Sequence, residues 1–540
     1  MNIKSIWMRG ALAAATIIIT GISACKESET YNPDLDTSNP ALGTRVEQTV
    51  DSIFLYAKEV YLWNDKLPTY EAFNPRQYIR TSGNAIDTYD DVLYEISQIP
   101  MNPATGDPYE FAGITRFSPK FSYISDQKEN NPAPVLRLRG SVDTEGVGND
   151  IGIADLAADG TDDNFRLFIV QIHPGSPAEK AGFTRGTIIT KINQTAIGRD
   201  FDREMNLINS LLNAGPASAE LTGIKPDGST ITANLKKTSY TSTPVLASDV
   251  FELGGKKVGY LALARFSRLT NPNAPSDTNL DPIFARFATE GLTDLIVDLR
   301  YNGGGYVNTA EYLVNLIAPP TASGVMYTEV FNELMQNKKA TILENQPYLD
   351  DNDKVQYQGN KMITLADLDF SVEKNTMSFS KKGPLTGIRN VVFIVTEGTA
   401  SASELTISAL SPFVNVQLVG RTTYGKPVGF FPLTLENRYD LYLSMFETRN
   451  NKGEGGYYTG MKPTIADDFD DYSRDFGDIR ENYIAKSLRA LGVSSVATSR
   501  ATMSKDKSGR AVPASGKRLS GLKKPEPFVG MIETRLKLKQ

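Results

Sequence analysis

Between Arg45 and about Pro100 the apolar positions recur at spacings of three and four: Val46, Val50, Ile53, Phe54 and Ala57, extended by Val60, Tyr61 and Trp63. That repeat predicts an amphipathic helix, and Asp87 to Ile99 predicts a second, with Val92, Leu93, Ile96 and Ile99 on one side. Tyr56, Tyr61 and Trp63 are read as core packing. From Met101 to Arg139, Pro and Gly interrupt short apolar runs such as Phe121 to Ile124, which reads as a linker with strand fragments. Then the pattern shortens. Phe168 to Ile172 reads as a strand, His173 to Pro177 as a surface turn, Ala178 to Ala181 as a helical turn ended by Gly182, Gly186 to Asn193 as a second strand and Phe201 to Asn213 as a helix. Between Val250 and Leu491 the runs Lys257 to Ala264, Thr293 to Leu299, Val391 to Thr396 and Val416 to Gly420 predict strands of a mixed α/β region, the most apolar of them buried and covered. Past Val496 apolar residues thin out. The segment 496–540 has 11 Lys and Arg against 3 Asp and Glu, so it is expected to be mostly without regular structure, with Phe528 to Leu538 the stretch able to order on a partner.

Composition narrows the chemistry. A chain of 540 residues, 40% hydrophobic and 22% charged, can build several ordinary globular domains. Its formal net charge of -6 offers no electrostatic case for nucleic acid as the main partner. One histidine and one cysteine are more telling. A Ser-His-Asp triad would have to use His173, and metal sites built on several His or Cys cannot be assembled from one chain, so no metal or other cofactor is expected. A nucleophile here needs another base, and lysine is the known substitute.

The first residues read as a targeting segment: Lys4 and Arg9, then a small apolar run from Gly10 to Ala24 that is too short to span a bilayer. Ile22-Ser23-Ala24-Cys25 resembles the lipobox of bacterial lipoproteins. That resemblance implies cleavage after residue 24, lipid on Cys25, a polar tether over 25–43 and a lipid-anchored location in the cell envelope, on the periplasmic face or the surface of a Gram-negative-type bacterium.

Two turns carry the candidate chemistry. After the strand-like Val391 to Thr396 comes Glu397-Gly398-Thr399-Ala400-Ser401-Ala402-Ser403-Glu404, a small-residue turn into a helical pattern. Amides of a helix's first turn have no internal partners and can face a developing negative charge. After Val416 to Gly420, a second turn presents Lys426. Ser401 is therefore the candidate nucleophile and Lys426 its base. Ser401 to Glu404 also spells a capping box, so Ser401 as a mere helix cap stays open on spacing alone. A third turn, Asp298-Leu299-Arg300-Tyr301-Asn302-Gly303-Gly304-Gly305, puts three glycines between a strand and a helix, where a backbone can approach a ligand closely. To accept a proton near neutral pH, Lys426 must titrate about three units below ~10.4, roughly 4 kcal/mol, which burial among Val419, Val428, Phe430 and Phe431 can supply. A rival Ser371-Val372-Glu373-Lys374 has S-x-x-K spacing but lacks the companion motifs of that chemistry.

The order SPA, AG and G-x-I-I-x-x-I-N over Ser176 to Asn193 resembles a PDZ domain, placed at 140–240, which would take an extended peptide at a sheet edge. By that resemblance Ile151, Gly152 and Ile153 follow the loop that holds a terminal carboxylate. DLRYNGGG, GTASASEL and GRTTYGKP, in that order after it, resemble the signature segments of the C-terminal processing (tail-specific) serine peptidases. The resemblance implies a multidomain α/β fold: an N-terminal helical domain with linker at 44–125, the PDZ-like domain, and a crotonase/ClpP-like α/β protease core at 245–495. It implies a serine endopeptidase acting on protein or peptide substrates, with Ser401 and Lys426, 25 residues apart, as catalytic dyad and the amides of Ala402 and of Gly303 or Gly304 as oxyanion donors. One position departs. The family often carries a glutamine four residues after the lysine, and Phe430 stands there, so a peptide-binding lipoprotein that keeps the fold with little or no turnover is the alternative.

Overall fold

A computed structural model describes residues 42–113, 118–127, 142–212, 215–271, 274–350 and 354–493, with short stretches at 504–505, 511–512, 519–522 and 530–532. The expected targeting segment at 1–24, Cys25 and nearly all of the tether at 25–43 lie outside the described residues. Among the described residues no helix is long and apolar enough to cross a membrane.

Helix α1 (Arg45–Val60) begins at Thr44, whose hydroxyl accepts the Glu47 N–H while the Glu47 carboxylate accepts the Thr44 N–H. This reciprocal cap satisfies two amides that the helix itself leaves unpaired. Val50, Ile53, Phe54, Ala57 and Val60 are fully buried, the apolar stripe read from the spacing. Burial of each of the larger ones contributes roughly 1.5–3 kcal/mol. Helix α2 (Ala85–Ser97) packs beside it through Val92, Leu93 and Ile96. These side chains belong to one continuous apolar cluster with the α/β core, so the helices share its interior.

A six-stranded antiparallel sheet follows, built on β1 (Ile153–Thr161), β2 (Asn164–Ile172), β3 (Ile188–Ile192), β4 (Ser218–Ile224) and β5 (Thr230–Lys236), ordered β1-β2-β3-β4-β5 with a two-residue strand on β3. Strand β1 is an edge of this sheet. Helix α3 (Phe201–Asn209) packs on it, Phe201 and Ile208 sharing a separate cluster with Leu156, Ala158, Leu167 and Ile169.

The second large sheet joins β6 (Val245–Leu253), β7 (Lys256–Leu263), β8 (Asp294–Asp298), β10 (Asn390–Val395), β11 (Asn415–Gly420) and β13 (Ile465–Ala466) in that order, antiparallel at β6-β7 and parallel from β7 onward. Alternation assigns its faces. Leu295, Val297, Val391, Phe393 and Val395 enter the main cluster, while Ile296, Val392 and Ile394 enter another covered by Tyr483, Ile484 and Leu488 of α6 (Asn482–Ala490). Parallel strands buried on both faces read as near-continuous apolar runs, as these do. Between β8 and β10 lie the short β9 (Gly304–Tyr306) and α4 (Val307–Ile317); between β10 and β11 runs α5 (Ala402–Leu410); β12 (Val428–Gly429) follows β11. In the 496–540 segment Ser504–Lys505 pairs with Ala511–Val512, and β14 (Gly530–Ile532), inside the stretch Phe528 to Leu538, pairs parallel with β9.

Candidate functional site

The three glycine- and serine-bearing turns leave the same end of the parallel sheet, from the C-terminal ends of β8, β10 and β11, which are consecutive neighbours. Strand ends of this kind are where α/β sheets place their ligands.

Ser401 ends the turn after β10 with φ 60° and ψ -113°, a left-handed conformation rare for a residue with a Cβ. It is fully buried, and its Oγ has no hydrogen-bond partner among the described residues. The capping-box arrangement is in place, yet the Ser401 hydroxyl makes no hydrogen bond to the helix. Glu404 accepts the Ser401 N–H at 2.8 Å, but the backbone at Ser401 is not the extended one of an N-cap and its hydroxyl is not spent on the helix. An unpartnered buried hydroxyl costs stability, so its persistence at a strained turn points to chemistry rather than packing.

Glu404 is the residue that joins the turns, and the sequence offered only its capping position. Its carboxylate accepts the N–H of Ser401 (2.8 Å), of Gly425 (2.7 Å) and of Lys426 (2.8 Å), together with the Thr423 hydroxyl. Ser401 and Lys426 thus hang by their backbones from one carboxylate oxygen. Burial pushes the Glu404 carboxyl up, opposed by the Thr423 hydroxyl and the amides it accepts.

Lys426 is 1% exposed. Burial pushes its amine down from 10.5 to about 7, against the pull of Glu110 and Glu404 and with help from the positive charge of Lys120. Its Nζ lies 4.3 Å from the Phe430 ring centroid and 5.9 Å from that of Phe121. Phe430 therefore packs directly on the amine, held edge-on by Tyr123 and Tyr442. Phe121, Lys120 and Glu110 come from the stretch read as a linker. Glu110 is fully buried and accepts from Tyr61, the amides of Phe121 and Ser122, and the Ser122 and Ser444 hydroxyls. Lys120 donates to the Tyr458 carbonyl at 2.7 Å, and burial pushes it down to about 8. Nothing in the local pattern of 101–139 marks these three.

The oxyanion assignment divides. Ala402 N–H opens α5 and Gly303 N–H lies in the turn before β9, and neither has an acceptor among the described residues. Gly304 N–H is already donated to Asn302 Oδ1 at 3.0 Å, which removes it from the pair of candidates. Asn302 in turn donates to the Leu263 carbonyl, and its own carbonyl accepts from Ala400 N–H and the Ser403 hydroxyl, pinning the glycine turn against the serine turn. Below them Arg300, 1% exposed, donates to Asp298, Asp470 and Glu481.

The stretch Ile151-Gly152-Ile153 leads into the edge strand β1. Gly152 N–H is taken by the chain's own Asp150 carboxylate at 2.6 Å, and the carbonyls of Ile151 and Gly152 accept from Ala178 and His173. The Gly152 amide is thus taken by the chain itself. His173, expected at a surface turn, is 8% exposed, and burial with the nearby Arg265 charge pushes it down to about 3. It sits in the strand-rich unit beside Tyr240.

Residues 257–466 match the model of peptidase family S41. The carboxy-terminal processing protease CtpB of Bacillus subtilis is 24% identical over 338 residues, covering 61% of this chain and 56% of the relative. CtpA of the same organism is 23% identical over 309 residues, covering 57% and 54%. The chain thus spans about half the length of the curated relatives it matches. A crystal structure of an S41 protease candidate from Bacteroides fragilis superposes with a TM-score of 0.51 at 20% identity, covering 84% of this chain and all of that one, a likeness of fold. The serine and lysine turns both lie inside the region that matches peptidase family S41.

Proposed function

We propose that the chain is a serine endopeptidase in which Ser401 attacks and Lys426 is the general base. One observation carries this: the backbone N–H of Lys426, whose amine burial brings down to about 7, donates to the same Glu404 oxygen as the N–H of Ser401, a strained serine whose hydroxyl has no hydrogen-bond partner among the described residues. The neutral Lys426 Nζ takes the proton of Ser401 Oγ as the oxygen bonds to the peptide carbonyl carbon. The resulting oxyanion faces Ala402 N–H and Gly303 N–H. The C–N bond then breaks, the lysine proton passes to the leaving nitrogen, and water later releases the acyl group by the same route reversed. Phe430 orients the lysine by packing, in the place where relatives often use glutamine.

The strand-rich unit resembles a PDZ domain and is read as the holder of an extended peptide along the β1 edge, so that substrates are protein chains engaged near their C-termini. Cys25 as a lipidation site, and with it a membrane-anchored place in the cell envelope, remains part of this reading and rests on the sequence alone. Incubation of the purified protein with an unfolded protein, read by mass spectrometry of the fragments, tests the proposal. Cleavage should fall by at least about a thousandfold in Ser401→Ala and in Lys426→Ala. Cleavage that survives either change removes the dyad.

A further inference from the structure

Two stretches of the basic segment lie on the surfaces just assigned to a peptide. Leu519 donates its N–H to the Ala158 carbonyl of the β1 edge at 2.9 Å. Two residues on, the Gly521 carbonyl accepts from Asn209 Nδ2 on α3 at 3.3 Å, and Leu519 and Leu522 pack against the apolar cluster that β1 and α3 share. A Cβ placed on Gly521 would stand 2.6 Å from Met205 Sδ, so the strand-helix groove holds this backbone closely. An extended segment bound to an edge strand on one side and a helix on the other is the geometry of peptide capture by strand addition.

The second stretch lies in the cleft itself. Strand β14 pairs in parallel with β9, Gly530 opposite Gly304 and Met531 opposite Gly305, and Gly530 N–H donates to the Gly303 carbonyl at 3.2 Å. Strand β12, which begins two residues after Lys426, also lies close to it. A Cβ placed on Gly304 would meet the Gly530 carbonyl oxygen at 2.5 Å and Ser401 Cβ at 3.0 Å. The Gly530 carbonyl and the serine therefore press on the same face of one glycine.

We propose that this peptide path takes the chain's own residues 519–522 and 530–532 as a tethered occupant, which an incoming peptide must displace. The groove half stands on hydrogen bonds and packing alone; the statement that the occupied cleft is the substrate's rests on the peptidase reading above. Self-binding is favoured by tethering, since a flexible link gives an effective concentration of about 1 mM, and a groove of about 100 µM intrinsic affinity would be occupied roughly nine times in ten. Freeing the path should then tighten binding of a separate peptide about tenfold.

The probe is a fluorescein-labelled synthetic peptide with the sequence of Leu519–Ile532, measured by anisotropy on the full-length Ser401→Ala protein, which leaves it uncut. Adding Leu519→Pro and Gly530→Pro removes both backbone donors of the occupant and should tighten probe binding about tenfold; equal affinity with and without the two prolines overturns the proposal. A second measurement needs no tail variant. In the full-length protein the amides of Leu519 and Gly530 should exchange with deuterium at least tenfold more slowly than in the free synthetic peptide, and exchange at the free-peptide rate overturns it as well. Both readouts are of binding. A protein that passes them and cuts nothing sinks the peptidase reading and leaves the tethered occupant standing.

Discussion

Ser401 stores strain that Gly would not. A non-glycine residue held at φ 60° and ψ -113° costs on the order of 1–3 kcal/mol. Ser401→Gly and Ser401→Ala both remove the unpartnered hydroxyl and should abolish cleavage, and Ser401→Gly, which also relieves the strained Cβ, should have an unfolding free energy about 1 kcal/mol above that of Ser401→Ala in urea titration. Lys426 sets the pH response. Its native amine titrates near 7 against an ordinary 10.5, so the neutral base accumulates above about pH 7 and kcat/KM should rise through that pH and then level. The sign for stability is the same. Between about pH 7 and 10.5 the unfolded chain binds the proton that the native one has lost, so this group makes the protein more stable as pH rises. Glu404→Gln tests the link between the two turns. One carbonyl oxygen cannot accept three amides, so unfolding free energy should fall by about 2–4 kcal/mol. The rising limb of the pH profile should also move to lower pH, because the negative charge that pulls the Lys426 amine up is gone. A fall in stability with an unmoved limb would make Glu404 a structural clamp only.

At the scale of elements, the strand-turn-helix unit from β10 to α5 and the turn after β11 are positioned by the sheet, and glycines let the turns close. Gly425 sits at φ +83°, and a Cβ there would meet Gly460 N at 2.4 Å and the Tyr458 carbonyl at 2.6 Å. Gly425→Ala should cost about 2 kcal/mol or more in urea titration and lose cleavage with it, since the backbone atom that must shift carries Lys426 on its next residue. The strands β8, β10 and β11 start and stop within two residues of the apolar runs that predicted them, because a covered parallel strand has no polar face to blur its ends. Helix α3 stops at Asn209, four residues short of its apolar pattern. The stretch 101–139, read as a linker with strand fragments, holds the strand Tyr123–Asp126. Its Pro and Gly break every period, yet Glu110, Lys120 and Phe121 reach Lys426 through tertiary packing that no window of sequence contains.

Across the whole molecule, a buried charge network ties the strand-rich unit to the α/β core. Arg185, 3% exposed, donates to Asp470, to the Tyr301 hydroxyl and to the carbonyls of Val170 and Arg474, and Asp470 also accepts from Arg300 beneath the glycine turn. Burial pushes Asp470 up, but the two guanidinium groups hold it well below the usual carboxylate range. Arg185→Met leaves a buried carboxylate with half its compensation and should lower the unfolding free energy by about 3 kcal/mol in urea titration; a loss under about 0.5 kcal/mol would mean the contact is rebuilt around water. By itself the sequence determined the strands, the two turns that carry Ser401 and Lys426, and the single histidine that leaves lysine as the candidate base, since apolar period, small-residue turns and residue counts are properties of the chain read in order. The tertiary structure alone decided what surrounds those turns: that three strand ends are neighbours, that Glu404 binds both turns, that Phe430 and Phe121 pack on the amine, and that residues 519–522 and 530–532 come to lie against β1 and β9. Each of these joins residues far apart in the chain, and only packing of the whole brings such residues into contact.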